Sequence, residues 1–315
     1  MSAGDTAVAV LGSGPIGAAF AVQFARAGHE VRVYEPVPEA LAEAPGAVRR
    51  RFTDLAAHGL LDEPVDTVAA RVTVGADLVA AVSDVELVQE CAPERVELKR
   101  SLFAEVAAHT GTAVLASSSS AIVPSAIADG APFADRLLVG HPGNPPYLIP
   151  VIEVVPSPAT SPAVVERARA FYAASGLTPV LLHRELEGFL FNRLQGALLR
   201  EAYCLLRDGV ASVEDIDTVV RAGLGRRWAF MGPFETVDLN TRGGIEAHAA
   251  RMGPAYERMG AERGQHDPWT PDLVAEATRQ RRALLPLEEW DARVRWRDEQ
   301  LMTRTTTDQT KDEQR

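Results

Sequence analysis

The stretch that decides the fold is AVAVLGSGPIGAAFAVQFARAGHEVRVYE, residues 7–35. The run at 7–12 is short, apolar and rich in valine, which predicts a buried strand. An alanine-rich segment at 15–28 predicts a helix that ends at Gly28. Residues 30–35 alternate between polar and apolar side chains, as in a second strand. The order strand, helix, strand is the unit from which parallel sheets covered by helices are built.

The turn between the first strand and the helix carries the pattern G-x-G-x-x-G. Gly12 permits a tight turn, Gly14 lets a pyrophosphate approach the backbone, and Gly17 lets the helix pack closely on the strand. A lone match to this pattern is weak, but its position between a strand and a helix makes it more specific. The free N–H groups at the helix start favour an anion. The predicted cofactor-binding residues of the turn are Gly12, Gly14, Pro15, Ile16 and Gly17.

Glu35 ends the second predicted strand and is placed to select the cofactor. A carboxylate at this position accepts hydrogen bonds from the ribose hydroxyls of a dinucleotide. Pro36 follows it, and no arginine stands beside it to bind a 2′-phosphate. The sequence therefore predicts NAD as the cofactor rather than NADP.

The alternation of strands and helices continues to about residue 185 and then stops. Further strands are predicted at 71–75, 85–90, 112–117, 136–140, 149–155 and 178–182, and helices at 38–59, 94–109 and 162–175. Beyond that point the chain has helical periodicity, beginning with a long amphipathic helix at 187–209 and one at 212–225. The predicted fold class is therefore α/β, a Rossmann-type domain followed by a smaller all-helical domain.

The domain boundaries follow from this change of pattern. Residues 1–185 are expected to form the NAD-binding domain, and residues 186–302 a helical domain for substrate binding and dimerisation. The tail at 303–315 is polar and charge-balanced, which predicts disorder. The long apolar faces at 188–207 and 270–296 favour a homodimer formed through the helical domain.

Composition limits the classes of partner. A chain of 315 residues suits two domains, and 46% hydrophobic with 24% charged residues is ordinary for a globular protein. The formal net charge of −11 argues against nucleic acid or an anionic membrane as the main partner. Cys91 and Cys204 stand apart in apolar contexts, as expected of core residues in a reducing compartment. No signal peptide or membrane-length segment is visible, so a cytoplasmic protein is expected. The expected partner is a small-molecule substrate, and no metal site is predicted.

Three polar residues lie at or near the ends of later strands in the predicted sheet. Ser120 follows the strand at 112–117, and His141 follows the strand at 136–140, where a histidine is well placed as a general base. Glu153 lies inside an apolar strand, where a carboxylate needs a partner that an imidazole would supply. Each residue alone also fits a structural role, but together over a nucleotide fold they favour an active site.

A second cofactor patch is predicted in QECAPERVELKRSLF, residues 89–103. Glu94 and Lys99 stand in a loop after a buried strand, at the edge of the sheet where such folds bind ligands. The alternative is a solvated helix start with Glu94 near its N-terminus. The residues themselves favour neither interpretation.

The chain resembles the L-3-hydroxyacyl-CoA dehydrogenase family, and within it the lambda-crystallin and L-gulonate 3-dehydrogenase branch. The resemblance runs in family order from residue 7 to about 240. The segments that carry it are VLGSGPIG, VQECAPERVELK, SSSSAIVPS, HPGNPPYLIPVIEVVP, GFLFNRLQGALLREAYCLL and GLGRRWAFMGPFET.

The resemblance implies a His–Glu pair with a serine and an asparagine around the reacting carbinol. The family's catalytic positions fall on Ser120, His141, Glu153 and Asn192. In this scheme His141 removes the hydroxyl proton while hydride leaves for the nicotinamide, and Glu153 stabilises the imidazolium. Ser120 and Asn192 donate hydrogen bonds to the reacting oxygen.

The same resemblance assigns further cofactor contacts. It places the family's cofactor-binding glutamate and lysine on Glu94 and Lys99, which decides between the two interpretations of that patch. It also places a cofactor-contacting asparagine on Asn144 and brings Ser120 into the cofactor site.

Two features depart from the family pattern. Gly143 stands where the family carries a bulkier apolar residue, which suggests an enlarged pocket or a looser loop. Arg226 and Arg227 form a pair in a segment that the branch places near the substrate. They fit a carboxylate clamp, because an arginine fork matches a carboxylate, or equally a solvated helix end.

The favoured function is an NAD-dependent dehydrogenase of a free L-3-hydroxy acid such as L-gulonate. An L-3-hydroxyacyl-CoA substrate is the alternative, with the arginines at 49–51 as candidate phosphate ligands. A non-catalytic NAD-binding structural protein is the alternative of another class, since the family has been recruited as a lens protein. The related 3-hydroxyisobutyrate dehydrogenases are set aside, because EGFLFNR at 187–193 lacks the lysine expected there.

Overall fold

The protein is described by a computed structural model that covers residues 7–264, residues 270–293 and Trp296. The chain divides into two compact units, Met1–Leu199 and Arg200–Arg315. The tail predicted to be disordered lies outside the described residues. Within the described ranges, no helix combines the length and apolar composition needed to cross a bilayer.

The first unit is built on an eight-stranded sheet whose order is β3-β2-β1-β4-β5-β6-β7-β8. Every strand predicted from the sequence is present, with ends displaced by one or two residues. The strands are β1 Ala7–Leu11, β2 Glu30–Tyr34, β3 Val72–Gly75, β4 Leu87–Glu90, β5 Val114–Ser117, β6 Leu137–Pro142, β7 Val151–Pro156 and β8 Thr178–Leu181.

The predicted parallel sheet is wrong at one pair, because β6 and β7 run antiparallel while all other pairs are parallel. The cause is the short connection at 143–150, since a parallel return needs a crossover of a dozen or more residues. β6 also runs on to Pro142, so His141 lies inside the strand and not after it. The antiparallel register places His141 directly opposite Glu153.

Helices cover both faces of this sheet, as buried parallel strands require. They are α1 Pro15–Arg26, α2 Pro38–Ala57, α3 Val65–Ala69, α4 Leu78–Val82, α5 Val96–His109, α6 Pro124–Ala128 and α7 Pro162–Ala174, with a 3₁₀ turn at Ala134–Arg136. One apolar core includes Phe20, Phe52 and Phe171, and a second core includes Phe103 and Phe133. The sheet is therefore held rigidly between two packed layers.

The chain from residue 189 onward is helical in the described residues. Its helices are α8 Phe189–Arg207, α9 Val213–Thr218, α10 Gly225–Trp228, α11 Pro233–Asn240, α12 Gly244–Glu262 and α13 Pro271–Leu284, with a π-helical stretch at Val219–Leu224 and a 3₁₀ turn at Leu287–Glu289. Ser212 caps α9 by accepting from the Asp215 N–H at 3.1 Å. The predicted stop at Gly225 is wrong, because Gly225 has φ −63°, a helical value that continues the chain into α10.

A buried tyrosine links α7 to the centre of the sheet. The Tyr172 hydroxyl donates to Gln89 Oε1 at 2.7 Å, and the Tyr172 side chain is fully buried. A Cβ on Gly140 would lie 2.3 Å from the Tyr172 hydroxyl, so this strand position accepts only glycine. The hydrogen bond therefore joins β4 to helix α7 on the face of the sheet. It lies beside Gly140, the residue that precedes His141.

We predict that Tyr172→Phe lowers the free energy of unfolding by about 1–3 kcal/mol, because Gln89 Oε1 is left without its buried donor. Urea denaturation followed by circular dichroism measures this change. Ser101→Ala is the control, since Ser101 is exposed on helix α5 and removal of its hydroxyl should leave the midpoint unchanged. Equal midpoints for the two variants would contradict the prediction.

Candidate active site

The glycine turn has the geometry that the sequence predicts for a dinucleotide. Gly12 has φ +101°, and a Cβ there would lie 3.0 Å from the Cys91 carbonyl oxygen. A Cβ on Gly17 would lie 1.9 Å from the Gly12 carbonyl oxygen, so helix α1 packs against the turn only with glycine there. A Cβ on Gly14 would meet no atom within 4 Å, which leaves the backbone open to a ligand. Helix α1 also begins without a side-chain cap or an acidic residue in its first turn, as a pyrophosphate site requires.

Glu35 is fixed beside this turn by three hydrogen bonds. Its Oε2 accepts from the Ser13 N–H at 2.9 Å and from the Ser13 hydroxyl at 2.8 Å, and its Oε1 accepts from the Val37 N–H at 3.0 Å. A carboxylate has about four acceptor positions, so the group retains capacity for ribose hydroxyls. Ser13, the variable residue between the first two glycines, is a contact that the sequence pattern did not reveal.

A buried ion pair between Glu90 and Lys99 lies under the second predicted cofactor patch. Lys99 Nζ donates to both carboxylate oxygens of Glu90 at 2.8 and 2.9 Å, and both side chains are almost completely buried. The Ser117 hydroxyl at 2.5 Å and the Ala92 N–H at 2.6 Å complete the contacts of the carboxylate. Burial raises the pKa of Glu90 above its ordinary value, against the opposing effect of Lys99.

Glu94 lies between this ion pair and the serine-rich loop. Its carboxylate accepts from the Ser119 hydroxyl at 2.5 Å and from the N–H groups of Ser120 and Ala121 at 3.0 and 3.3 Å. Lys99 Nζ lies 3.3 Å from its other oxygen. Partial burial raises the pKa of Glu94, but these hydrogen bonds and the Lys99 charge outweigh it, so the pKa is lowered. Glu94 is therefore a fixed anion at the carboxyl end of β4.

Lys99 lies in helix α5, within the helix predicted at 94–109 and not in the loop before it, and it is 1% exposed. Its ammonium group is directed to Glu90 and Glu94, which leaves Glu94 as the more accessible of the patch's two predicted residues. A lysine at this depth requires a counter-charge, and Glu90 at the end of β4 supplies it. The signal in the sequence was the carboxylate that ends the apolar run VELVQE.

His141 and Glu153 form a hydrogen-bonded pair across the antiparallel strands. His141 Nδ1 lies 2.7 Å from Glu153 Oε2, and the two residues are 7% and 2% exposed. Glu153 Oε1 accepts from the backbone N–H groups of Leu190 and Phe191 at 2.6 and 3.0 Å. An ionised carboxylate only accepts, so Nδ1 carries the proton and Nε2 of the neutral imidazole holds a lone pair. This is the arrangement of a general base oriented by a carboxylate.

Asn192 and Ser120 meet at the serine loop. Asn192 Nδ2 donates to the Ser120 carbonyl oxygen at 2.9 Å, while the Ser120 side chain is exposed. The first turn of α8 thus contacts Glu153 through its backbone and Ser120 through Asn192. The first unit of the chain therefore brings together the four residues predicted to be catalytic.

The loop after His141 does not have the extra room suggested by Gly143. Gly143 is buried, and a Cβ there would lie 2.5 Å from Ile149 Cγ2 and 2.7 Å from the Ile149 carbonyl oxygen. The glycine instead allows Ile149 to close on the strand end, so the suggestion of an enlarged pocket is wrong. Asn144 follows on the surface, in a cis peptide bond with Pro145.

The arginines named from the sequence have different positions. Arg226 and Arg227 are half-buried on the short helix α10 of the second unit, where the proposed carboxylate clamp stays a prediction. Arg49 instead forms an ion pair with Asp66, and Arg51 donates to the Ala47 carbonyl oxygen of its own helix at 2.8 Å. Two of the three arginines considered for coenzyme A phosphates therefore have partners in the first unit.

The cysteine of the cofactor region has no sign of reactivity. Burial and the neighbouring Glu90 raise the pKa of Cys91 to about 12, so its thiol stays protonated.

In the described part of the chain, no group of three or more His, Cys, Asp and Glu side chains is arranged to hold a metal ion.

Comparison with known proteins places this site in a family. The model of the 3-hydroxyacyl-CoA dehydrogenase NAD binding domain matches residues 7–186, and the model of the C-terminal domain of that family matches residues 188–283. The chain is 40% identical to a lambda-crystallin homolog of Bos taurus over 255 residues, which is 80% of this chain and 79% of the relative. It is 39% identical to an L-carnitine dehydrogenase of Streptomyces griseus over 266 residues, 84% of this chain and 76% of the relative.

A solved structure gives the same answer for the fold. The 3-hydroxybutyryl-CoA dehydrogenase of Escherichia coli K12 aligns with a TM-score of 0.66 and 31% identity, over 78% of this chain and 52% of that one. The family models cover most of the chain and confirm the resemblance found in the sequence. The chain therefore belongs to the 3-hydroxyacyl-CoA dehydrogenase family, in its lambda-crystallin branch, and is an NAD-dependent oxidoreductase.

Proposed function

We propose that the protein oxidises the 3-hydroxyl group of a free L-3-hydroxy acid with NAD, or reduces the ketone in reverse. The observation that carries this proposal is the His141–Glu153 pair, held in register across β6 and β7 with Nδ1 and Oε2 2.7 Å apart. The pair stands in the same sheet as the glycine turn, and both lie near strand ends on the family's NAD-binding domain. A base beside a dinucleotide site is what oxidation of an alcohol requires.

The residues present fit NAD. The open backbone at Gly14 and the start of α1, with Pro15 and Ile16, would hold the pyrophosphate. Glu35 would accept from the ribose hydroxyls, and NAD would supply the hydride acceptor of the reaction.

The second patch would hold the rest of the cofactor. Glu94, fixed by the serine loop and Lys99, would accept hydrogen bonds from the other ribose, and Ser120 and Asn144 would flank it. In this arrangement Lys99 would position Glu94 and would not contact the cofactor itself, since its ammonium group is already bonded to Glu90 and to the Ala92 carbonyl oxygen.

The proton is handled by this chain's own residues. His141 Nε2 takes the hydroxyl proton, and the electron pair of that O–H bond forms the carbonyl as hydride leaves the same carbon. Glu153 stabilises the resulting imidazolium through Nδ1. The Ser120 hydroxyl and the Asn192 amide donate to the oxygen as its charge changes.

A free hydroxy acid such as L-gulonate is the proposed substrate. The similarity to lambda-crystallin homologs supports the branch, and L-carnitine, named in another relative, is also a free 3-hydroxy acid. Arg226 or Arg227 would bind its carboxylate. A 3-hydroxyacyl-CoA is the second candidate, supported by the family's name, although Arg49 and Arg51 already have partners.

The apolar side chains exposed on α8 support the proposed homodimer. Leu194 and Tyr203 are 64% and 70% exposed, an unusual exposure for large apolar groups on one helix. A second copy that buries them through the helical domain would remove this surface from water. The proposed place of the enzyme is the cytoplasm.

We expect L-gulonate or L-carnitine to be oxidised with a kcat/KM about tenfold or more above that of L-3-hydroxybutyryl-CoA, the effect of one arginine–carboxylate pair. NADH formation at 340 nm measures all three substrates under identical conditions. His141→Ala is the control and should lose at least about 10²-fold in kcat with each of them. A preference for the thioester by orders of magnitude would reverse the order of the two candidates.

We predict that His141→Ala lowers kcat by about 10²- to 10⁴-fold, because the proton acceptor is removed. NADH binding, measured by fluorescence titration, should change by less than about twofold, since no cofactor contact is lost. His58→Ala on the exposed end of α2 is the matched control and should keep full activity. No turnover of any hydroxy acid by the unmodified protein would favour the non-catalytic NAD-binding alternative.

We predict that Glu90→Gln lowers the free energy of unfolding by about 3–5 kcal/mol, because the Lys99 ammonium loses its buried counter-charge and keeps only the partly exposed Glu94. The double variant Glu90→Leu, Lys99→Met should lose less, since neither charge then remains buried. Glu63→Gln breaks the partly exposed ion pair with Arg71 and is the control, expected to cost less than about 1 kcal/mol. Urea denaturation measures the four proteins, and equal losses for Glu90→Gln and Glu63→Gln would contradict the prediction.

A further inference from the structure

We propose that Phe189 is a positioning residue for the His141–Glu153 pair. Its buried ring supports the imidazole, and its left-handed backbone directs two N–H groups onto the carboxylate. The inference rests on the proposed function and adds a residue to it that touches neither the reacting atoms nor the cofactor.

The ring of Phe189 packs on the two strands that carry the pair. Phe189 is fully buried and clusters with Val139 of β6 and Val155 of β7. Val139 and Val155 stand opposite each other in the register, two residues from His141 and Glu153, so all four side chains share one face of the sheet. The ring centroid of Phe189 lies 5.5 Å from that of the His141 imidazole. The ring therefore packs beside the imidazole from the strand face that both residues of the pair share.

The backbone of Phe189 is in a conformation that is rare for a non-glycine residue. Its φ is +48°, and Gly188 before it has φ +78°. Two successive left-handed residues turn the chain sharply into α8, so that the first free N–H groups of the helix, those of Leu190 and Phe191, reach Glu153 Oε1 at 2.6 and 3.0 Å. Left-handed backbone disfavours a phenylalanine, and such a conformation persists where surrounding contacts hold it.

The two contributions act on the same carboxylate. Glu153 Oε2 is bonded to His141 and Oε1 to the turn, so a displacement of the turn rotates the carboxylate against the imidazole. Asn192 follows on the first turn of α8 and donates to the Ser120 carbonyl oxygen, so a displacement of the turn would move Asn192 as well. Phe189 thus sets the geometry of the base and of one proposed hydrogen-bond donor together.

Phe189 is not part of either large apolar core of the sheet. It belongs to a small cluster with Val139, Val155 and Leu182, apart from the cores that cover the two faces. A substitution there should therefore disturb the pair more than the fold, which gives the experiment its control. Phe52 is equally buried but lies in a large core on α2.

The test compares Phe189→Leu with Phe52→Leu. Phe189→Leu should lower kcat by about tenfold or more, since small displacements of catalytic groups have effects of this size. Its NADH dissociation constant should stay within about twofold of the unmodified protein. Phe52→Leu should reduce the unfolding temperature at least as much but leave kcat within about twofold. Equal effects of the two substitutions on kcat would overturn the proposal.

A second variant keeps the test valid if Phe189→Leu fails to fold. Gly188→Ala adds a Cβ whose nearest atoms are at 3.6 and 3.7 Å, so it fits sterically but disfavours φ +78°. It should lower kcat while the unfolding temperature falls little. In a Glu153→Ala background, Gly188→Ala and Phe189→Leu should lower the remaining kcat by a smaller factor than in the unmodified protein, because the part of their effect that Glu153 transmits is already lost. Full additivity with Glu153→Ala would overturn the proposal.

The outcomes separate this inference from the proposed function. If His141→Ala keeps its activity, the proposed base is wrong and the role of Phe189 fails with it. If His141→Ala is inactive but Phe189→Leu and Gly188→Ala are fully active, only the role of Phe189 is wrong.

Discussion

The buried carboxylate of Glu153 is the constraint on which the candidate site depends. A charge at 2% exposure is unfavourable unless each oxygen is bonded, and here His141 satisfies one oxygen and two backbone N–H groups satisfy the other. Meeting this requirement brings an antiparallel strand pair and a helix start to the same place. The imidazole tautomer, and therefore the lone pair on Nε2, follows from the same hydrogen bond.

A second buried charge plays the corresponding part on the cofactor side. Lys99 is neutralised by Glu90 and also contacts Glu94, which in turn holds the serine loop through Ser119 and the Ser120 N–H. The Ser120 carbonyl oxygen then accepts from the Asn192 amide. Asn192 belongs to the first turn of α8, whose backbone N–H groups donate to Glu153. The two buried carboxylates are thus linked through Lys99, Glu94, the backbone of Ser120 and the first turn of α8. The proposed base and the proposed cofactor contacts hold a fixed geometry because both belong to this connected set of contacts.

Much of this arrangement could be predicted from the sequence because strand and helix periodicity, the glycine turn and the resemblance are local signals. The strand positions, NAD and the pairing of His141 with Glu153 follow from them. The antiparallel direction of β7 depended on the length of a connection. The burial of Lys99 could not be predicted, because helical periodicity does not reveal how deeply a charged side chain lies. The left-handed conformation of Phe189 had no signal beyond the neighbouring Gly188. Gly143 was misjudged because the residue that fills its space, Ile149, lies six positions away in an irregular loop.

The proposed catalytic groups are fixed within one unit of the chain. His141, Glu153, Ser120 and Asn192 all belong to the first unit and are fixed by its sheet and by the start of α8. The carboxylate of Glu153 and the imidazole of His141 are buried and paired, so replacing one partner alone would leave an unsatisfied polar group. Function resides in sites built on a shared fold, and a base held in this way does not depend on which side chains contact the rest of the substrate. The choice between a free hydroxy acid and a thioester would therefore be made by residues outside this buried network.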